Sequence, residues 1–337
     1  MPDYDVLCIG NAIVDIIAQC DEEFLETNGI INGAMNLIDT RRAELLYSRM
    51  GPAIEASGGS AGNTAADVAS FGGRAAFFGK VSNDALGEIY AHDIHAQGVA
   101  FDTKPLKGEP PTAPSMIFVT PDGERSMNTY LGACIELGPE DVEADKAYGA
   151  KVTYFEGYLW DPPRAKEAIR QTAKLAHEAG REVSMTLSDS FCVDRYRDEF
   201  LDLMRSGTVD IVFANSDEIK SLYQTSSFDE AVAQIRKDCK IAAVTRSEKG
   251  SVIVRGDETV VIHATAIKEL VDTTGAGDLY ATGFLHGYTQ GRDLKTCGDL
   301  GSLAAGLVIQ QIGPRPRQNL RREAERAGLL SGGRFQE

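Results

Sequence analysis

Residues 272–278 read DTTGAGD, and residues 279–289 continue as an apolar stretch with helical spacing. Glycines at the start of a helix let a ligand approach the backbone closely, and the free N–H groups there attract anions. A carboxylate beside such a site, here Asp278, can take a proton from an attacking hydroxyl group. The motif therefore predicts an anion-binding helix start with a neighbouring base. The alternative is that Thr274 caps the helix and Asp278 only complements the helix dipole.

Short β-rich runs alternate with longer stretches of helical spacing through most of the chain that precedes this motif. The predicted strands are residues 4–10, 74–79, 152–159, 182–187, 210–214 and 241–245, and the predicted helices are 63–70, 86–97, 163–179, 216–223 and 228–237. Strand–helix alternation of this kind is typical of a wound, mostly parallel sheet with helices on both faces. We therefore predict a Rossmann-like α/β fold.

Three segments interrupt the alternation. Residues 16–39 alternate apolar and polar residues without a long helix, residues 115–131 read as a hairpin around Pro121-Asp122-Gly123, and residues 251–263 read as a second hairpin around Gly256. Turn residues of these types favour hairpins. We expect the first two to form a small separate sheet. Residues 1–337 are therefore interpreted as one large α/β domain with a lid made of residues 16–39 and 112–131.

The net charge limits the kinds of partner. The 337 residues include 34 basic and 50 acidic side chains, a formal net charge of −16. A field of this sign repels nucleic acids and anionic membranes, so we expect neither as a partner. Any phosphate site must then be local, built from backbone N–H groups, a helix start or a metal ion. Residues 315–326, which are rich in arginine, are predicted to form a solvated basic helix.

Several other protein classes are excluded or disfavoured. No apolar run is long enough to span a membrane, and the N-terminal residues do not resemble a signal peptide, so we expect a cytoplasmic protein. The cysteines are scattered and form no CxxC pair, which favours reduced, buried thiols. The sequence contains no GxxxxGK[ST] pattern and no GxGxxG after the first predicted strand. Both absences argue against a P-loop protein and a dinucleotide-dependent oxidoreductase.

Polar residues at three further places are candidates for binding: the start of the predicted helix at 63–70, the residues after the first strand, and the end of the strand 210–214. In the run 57–63, Gly58 and Gly59 could admit a small ligand and Asn63 could bond its hydroxyl groups, the alternative being a flexible loop and cap. Asp15 could accept two hydroxyls of a polyol, or be an ordinary strand-end aspartate. Asn215 and Glu218 could hold Mg²⁺ through water, or form only the capping box of their own helix.

Taken together, these motifs resemble the ribokinase/phosphofructokinase B (PfkB) family of carbohydrate and nucleoside kinases. In chain order they are Asn11 and Asp15, Gly58 and Gly59 with Asn63, Gly79, Asp84 and Gly87, Asn215 with Glu218, Thr245 with Gly250, and DTTGAGD at 272–278. The resemblance covers nearly the whole chain, and the last motif is highly specific to the family. It implies a Rossmann-like body, a small β lid over the acceptor site, and transfer of the ATP γ-phosphate to a primary hydroxyl.

The resemblance also implies a role for each matched residue. The catalytic residues would be Asp278 as general base, Gly275, Ala276 and Gly277 as anion hole, and, by a looser match, Arg125 facing the phosphate. The acceptor-binding residues would be Asn11, Asp15, Gly58, Gly59 and Asn63. The nucleotide site would include Asn215, Thr245, Gly250, Gly275 and Gly277. Mg²⁺ would be held through water by Asn215 and Glu218, and a monovalent cation such as K⁺ would lie at Asp272 and Thr274. One departure is Ser247, which stands where the pattern Thr-x-Gly-x-x-Gly has its middle glycine.

Within the family, the chain looks most like the adenosine kinase branch. The supporting segments are residues 16–39, Pro111-Thr112, Glu124-Arg125-Ser126 and residues 154–158. A purine nucleoside is therefore the expected acceptor, with a free sugar such as ribose or fructose as the alternative. A non-catalytic nucleoside- or sugar-binding protein on the same fold is a rival of another class, although such a protein has no need of a carboxylate at Asp278. Exposed lid strands could pair between two chains, so a monomer and a homodimer both remain open.

Overall fold

Two β-sheets and the helices around them make up residues 3–331, the part of the chain that this computed structural model describes. The strands are β1 (Tyr4–Ile9), β2 (Ile13–Gln19), β3 (Met35–Leu37), β4 (Ala53–Gly58), β5 (Ala75–Phe78), β6 (Val99–Ala100), β7 (Ala113–Val119), β8 (Arg125–Thr129), β9 (Ala150–Glu156), β10 (Glu182–Thr186), β11 (Ile211–Asn215), β12 (Ile241–Thr245), β13 (Ser251–Arg255) and β14 (Glu258–Ile262). The α-helices are α1 (Glu22–Thr27), α2 (Thr40–Arg49), α3 (Ser60–Ser70), α4 (Ala85–Ala96), α5 (Ala144–Gly149), α6 (Pro163–Glu178), α7 (Ser190–Arg205), α8 (Ser216–Leu222), α9 (Phe228–Asp238), α10 (Ala276–Thr289), α11 (Leu294–Val308) and α12 (Leu320–Arg326).

The larger sheet has nine strands in the order β14-β13-β12-β11-β10-β9-β1-β5-β6. Its strands pair in parallel except for the hairpin β13–β14, which continues antiparallel from β12. Apolar side chains cover both faces: along β1, Val6 and Cys8 pack into one hydrophobic cluster, and Leu7 and Ile9 pack into another. A sheet buried on both faces is what continuous apolar strands predict. The predicted wound α/β fold is confirmed.

The smaller sheet has five strands in the order β3-β8-β7-β2-β4. The predicted hairpin forms β7 and β8, and β2 pairs in parallel with β7, so the two interrupting segments do share a sheet. Sequence analysis missed β4, which pairs antiparallel with β2. Its sequence, AIEASG, has a single β-branched residue, Ile54, and therefore little β propensity of its own. That this sheet acts as a lid remains a prediction.

The C-terminal part of the described chain differs from the sequence prediction. Helix α12 is not fully solvated, because Leu320 and Ala324 are buried in a cluster with Phe71 and Leu300. Arg315 lies on the connection between α11 and α12, and its side chain points inward to α3, where it hydrogen-bonds Asn63. The prediction of a purely solvated basic segment is therefore wrong. No helix among residues 3–331 is both long enough and apolar enough to cross a membrane.

Candidate active site

The site begins where β1 ends. Strand β1 lies between β9 and β5, so the chain connections diverge to opposite sides of it, which in wound sheets opens a ligand crevice at the carboxyl ends of the strands. Glu156 closes the bottom of this crevice from the end of β9. One of its oxygens accepts the backbone N–H and the side-chain amide of Asn11, at 3.0 and 2.7 Å, and the other accepts the N–H of Ala61 at 2.7 Å. This buried carboxylate joins β1 to the start of α3.

The start of α3 requires both of its glycines. Gly59 is the N-cap with φ of +85°, and a Cβ there would overlap the carbonyl oxygen of Asn11. A Cβ on Gly58 would come within 2.6 Å of the carboxylate of Asp15. Only glycine tolerates both the backbone conformation and the close approach. The segment is therefore an ordered helix start rather than a flexible loop, and it sets Asn63 one turn into the helix.

The start of α10 has an open surface. Gly275 is the N-cap with φ of +78°, no side chain caps the helix, and the backbone of Pro314 packs against Gly275. Thr274 therefore does not cap the helix, contrary to the simpler reading of the motif. At Gly277, by contrast, a Cβ would have no neighbour within 4 Å among residues 3–331. A ligand can therefore approach the first turn on the side of Gly277, although the N–H of Ala276 already donates to the carbonyl of Thr273 at 3.2 Å.

Asp278 stands in the first turn of α10 and is half-buried. Its Oδ1 accepts a hydrogen bond from the hydroxyl of Ser60 at 2.6 Å. Burial raises the pKa of Asp278 to about 7, although the side chains of Ser60 and Asn63 oppose this rise. A carboxylate poised near neutral pH, next to an open helix start, has the properties of a general base.

Asp15 brings the smaller sheet into the site. It lies within β2, rather than at the end of the first strand, and its carboxylate faces Gly58. Burial raises the pKa of Asp15 to about 6, and the positive charges of Arg125 and Arg315 oppose the rise. A buried carboxylate without a direct cationic partner can accept hydrogen bonds from hydroxyl groups of a ligand.

Arg125, on β8, forms an ion pair with Asp272, with 3.2 Å between Nη1 and Oδ2. The two side chains are only 4% and 8% exposed. Among the residues that the structure describes, Nε and Nη2 of Arg125 have no hydrogen-bond partner. A buried guanidinium with unused donors is well suited to bind a phosphate group.

Asp272 also accepts the N–H groups of Thr274 and Gly313, at 2.8 and 3.1 Å. Burial acts to raise the pKa of Asp272, but these hydrogen bonds and Arg125 outweigh it and lower the pKa. Since the guanidinium of Arg125 already balances the charge of Asp272, this arrangement does not fit a monovalent cation at Asp272 and Thr274. No step proposed below uses such an ion.

The predicted nucleotide and magnesium residues cluster at the ends of β11 and β12, where Asn215 and Thr245 are paired across the two strands. Asn215 and Glu218 form a capping box: the N–H and amide of Asn215 donate to the two oxygens of Glu218 at 2.9 and 2.6 Å. Burial raises the pKa of Glu218 to about 7. Each carboxylate oxygen keeps a second acceptor position, so the pair fits Mg²⁺ held through water. Residues 3–331 contain no cluster of three acidic, histidine or cysteine side chains for direct coordination.

Tyr158 is near enough to both Glu218 and Asp278 to be influenced by their charges. Tyr158 follows β9, and the charges of both Asp278 and Glu218 contribute to raising its pKa, after the larger effect of burial. Gly250 has φ of +80° and packs against the backbone of Ile262, so a side chain there is excluded by the protein itself. Ser247, the departure from the family pattern, has φ of +51°, a conformation in which glycine is favoured.

Three residues of the site were not assigned from the sequence: Ser60, Glu156 and Arg315. Ser60 was visible only as a member of the glycine-rich run, and Glu156 only as a residue inside the predicted strand 152–159 and the segment 154–158. Arg315 gave no signal, since an arginine after Gly313-Pro314 is indistinguishable from the other arginines of the basic segment. Its Nε donates to Asn63 at 2.9 Å and its Nη1 to Ser57 at 3.0 Å.

The chain is similar in sequence and structure to known kinases. Residues 47–319 match the model of the pfkB family of carbohydrate kinases. A crystal structure of a probable sugar kinase from Rhizobium etli CFN 42 is 69% identical, with a TM-score of 0.91 over 98% of this chain and 100% of that chain. The crystal structure of adenosine kinase from Sinorhizobium meliloti is 71% identical, with a TM-score of 0.89 over 96% of this chain and 99% of that chain. Adenosine kinase from Saccharomyces cerevisiae is 27% identical, over 92% of this chain and 96% of its own length. The chain belongs to the pfkB family of carbohydrate kinases.

Proposed function

We propose that this protein transfers the γ-phosphate of ATP to the primary hydroxyl of a purine nucleoside, with adenosine as the first acceptor to test. Members of this family are phosphotransferases that act on hydroxyl groups, with ATP and Mg²⁺ as general requirements. The nucleoside assignment is supported by the 71% identical adenosine kinase. The observation that carries the proposal is Asp278, a half-buried carboxylate with a pKa of about 7 that accepts a hydrogen bond from Ser60 beside an open helix start.

The acceptor would bind between α3 and the smaller sheet. Asp15 and Asn63 are the groups that hydrogen-bond its hydroxyls, since a carboxylate accepts and an amide N–H₂ donates. Gly58 and Gly59 keep this pocket free of side chains. Asn11 has both its backbone and amide N–H groups committed to Glu156, so its role is to shape the pocket, and only its side-chain oxygen is free for a hydroxyl.

The phosphate to be transferred would lie at the start of α10. The N–H groups of Gly275 and Gly277 and the unused donors of Arg125 would stabilise its oxygens. The N–H of Ala276, predicted as part of the same anion hole, donates to the carbonyl of Thr273 at 3.2 Å and would have to exchange this bond for the phosphate. Asp278 would take the proton of the attacking hydroxyl and orient it for in-line attack. The positive charge that Arg125 adds lies on β8, so movement of the smaller sheet would change the position of this donor relative to the phosphate.

The nucleotide would extend from the start of α10 toward Thr245 and Gly250. Asn215 and Glu218 would hold the magnesium ion through water. When bound, Mg²⁺ neutralises charge on the phosphate oxygens. The smaller sheet would close as a lid over the acceptor and exclude water, which limits wasteful hydrolysis of ATP.

The test is ADP release from ATP and Mg²⁺ with adenosine, guanosine, inosine, cytidine, ribose and fructose as acceptors, for wild type and Asp278→Asn. We expect turnover with a purine nucleoside and its loss in the variant. Turnover with a free sugar alone would reject the nucleoside and keep the kinase, in line with the name of the Rhizobium etli relative. Binding of an acceptor without any turnover would favour the non-catalytic alternative.

A further inference from the structure

The connection between α11 and α12 contacts three motifs of the site with three consecutive residues. The N–H of Gly313 donates to Asp272, the backbone of Pro314 packs against Gly275, and the side chain of Arg315 reaches α3. The first two contacts hold the helix start of α10. The contact of Arg315 with α3 links this connection to the acceptor side of the site. None of the motifs described above gives Arg315 a role.

Arg315 is held on several sides. Its Nε donates to Oδ1 of Asn63 at 2.9 Å, and its Nη1 donates to the hydroxyl of Ser57 at 3.0 Å. The hydroxyl and N–H of Ser57 in turn donate to Asp93, at 2.6 and 2.8 Å, and Asp93 lies 3.6 Å from the guanidinium. Within residues 3–331, Nη2 of Arg315 is buried without a partner. The guanidinium is therefore anchored to α4 through Asp93 while its outer edge contacts Asn63.

This contact determines which way the amide of Asn63 points. A guanidinium has only donors, so the amide atom that faces Nε must be the oxygen. The N–H₂ group is then turned away from Arg315, and the side chain of Asn63 opposes the rise that burial causes in the pKa of Asp278. Without Arg315, no donor would hold the side-chain oxygen of Asn63, and the amide could rotate. A rotated amide would place its oxygen against the carboxylate of Asp278, which is unfavourable.

We propose that Arg315 is a positioning residue for phosphoryl transfer: by holding the oxygen of Asn63, it presents the N–H₂ group of Asn63 to Asp278 and to the acceptor hydroxyls. This inference rests on the proposed function, because it concerns the base and acceptor of that reaction. The charge of Arg315 also acts on Asp15, the other residue proposed to bind acceptor hydroxyls. Arg315 thus orders the acceptor side of the site and has no contact with the nucleotide residues named above.

The experiment compares Arg315→Met and Arg315→Lys with Arg317→Met, an exposed arginine two residues away. We expect kcat/KM for the acceptor to fall by about 10- to 100-fold in Arg315→Met, because small misplacements of positioning groups have effects of this size. KM for ATP should stay within about twofold of wild type, since the contacts of Arg315 lie on the acceptor side. Arg315→Lys, which keeps the charge and one donor, should retain part of the activity, and Arg317→Met should behave as wild type.

A double-mutant cycle with Asn63→Ala shows whether Arg315 acts through Asn63. If it does, Arg315→Met causes little further loss in the Asn63→Ala background. Equal losses in both backgrounds, or a loss expressed mainly in KM for ATP, would overturn the proposal. So would unchanged kcat/KM in Arg315→Met.

The orientation of Asn63 can also be read without any activity, from crystal structures of wild type and Arg315→Met, because methionine offers no donor to the amide oxygen. We expect the amide of Asn63 to shift or rotate in the methionine variant, and an unchanged hydrogen-bond pattern around Asn63 would contradict the inference. This readout separates two failures. If wild type does not phosphorylate a purine nucleoside, the proposed acceptor is rejected, whereas the orientation of Asn63 still tests the role of Arg315.

Discussion

The starts of α3 and α10 are built alike but completed differently. Both begin at a glycine with positive φ, and no side chain caps either helix. At α3 the protein supplies its own anion, because the buried carboxylate of Glu156 accepts the N–H of Ala61. At α10 the space beside Gly277 is empty of atoms from residues 3–331. The same kind of helix start therefore binds a carboxylate of the protein itself at α3, the α3 joint, and remains an open anion site at α10.

The two helix starts also differ in the role of the acid group beside each of them. Glu156 and Asp278 both have a pKa raised to about 7 by burial. Glu156 uses both oxygens to accept backbone and amide N–H groups, whereas Asp278 receives side-chain hydrogen bonds and faces the open helix start. We expect changes at the α3 joint to reduce stability and changes at the α10 start to reduce activity.

The largest effects should come from exchanging the two acid groups for amides. Asp278→Asn should lower turnover by about 10²–10⁴-fold, because it removes the base. Its free energy of unfolding should stay close to that of wild type, since a neutral side chain is favoured at a half-buried position. Glu156→Gln should instead lower the free energy of unfolding by about 1–3 kcal/mol, because its N–H₂ group would face an N–H donor. Steady-state kinetics and urea denaturation of both variants test the contrast, and it fails if Asp278→Asn is the less stable of the two.

The glycines give a second contrast. Gly277→Ala should change the free energy of unfolding by no more than about 1 kcal/mol, because the new methyl group meets no protein atom and alanine favours helices. It should raise KM for ATP, since the methyl group enters the proposed phosphate space. Gly59→Ala should lower the free energy of unfolding by about 1–3 kcal/mol or more, from backbone strain and overlap with Asn11. A strongly destabilised Gly277→Ala would show that this space is occupied by the protein itself.

The pH dependence should follow Asp278. The base works when ionised, so with a pKa of about 7 we expect kcat to fall as the pH drops below about 7. The Ser60 hydroxyl favours the ionised form, so Ser60→Ala should raise the pKa and move the acid limb upward by about one pH unit. Profiles of kcat from pH 5 to 9 measure this shift, with the exposed Ser48→Ala as control. A downward shift would contradict the assignment of the limb to Asp278.

The smallest effect concerns Asp67, which is buried in α3 with Oδ2 lacking a partner among the described residues. Burial raises the pKa of Asp67 to about 8. The folded protein therefore keeps this proton up to about pH 8, whereas the unfolded chain releases it near its ordinary value. Stability from this group is complete at low pH and is lost as the pH rises toward 8.

Asp67→Asn imitates the protonated form of Asp67. The difference in the free energy of unfolding, variant minus wild type, should therefore increase as the pH rises from 5 to 8. Denaturation at both pH values measures the gain, and Asp257→Asn, in the exposed turn between β13 and β14, is the matched control. A gain that shrinks with rising pH would show that Asp67 is ionised in the folded protein.

Sequence analysis predicted the parts of this molecule that depend on local pattern. The strands of the large sheet other than the two-residue β6, both hairpins and the start of α10 were predicted, because apolar periodicity and glycine placement are properties of neighbouring residues. Helix α10 begins at Ala276, three residues before the apolar run, since Gly275 rather than the apolar pattern sets its start. Strand β4 was missed because its pairing with β2, and not its own composition, makes it a strand.

Contacts between residues far apart in the sequence could not be predicted from local sequence patterns. The pairing of Arg125 with Asp272 joins residues 147 positions apart, and that of Arg315 with Asn63 joins residues 252 positions apart. No property of either segment alone specifies such a partner. The family resemblance named Arg125 and Asp272 separately, for phosphate and for a cation, and only the three-dimensional arrangement brings them together.

The connection at Gly313, Pro314 and Arg315 has a consequence for the order in which the protein is completed during synthesis. All strands of both sheets lie before residue 263. A ribosome that has released the chain up to that point has supplied both sheets and Ser60, but neither Asp278 nor the connection at Gly313, Pro314 and Arg315. Such long sequence separations are closed late and at an entropic cost. The ability to bind acceptor and phosphate together should therefore be acquired in the last steps of folding, after the framework that carries it.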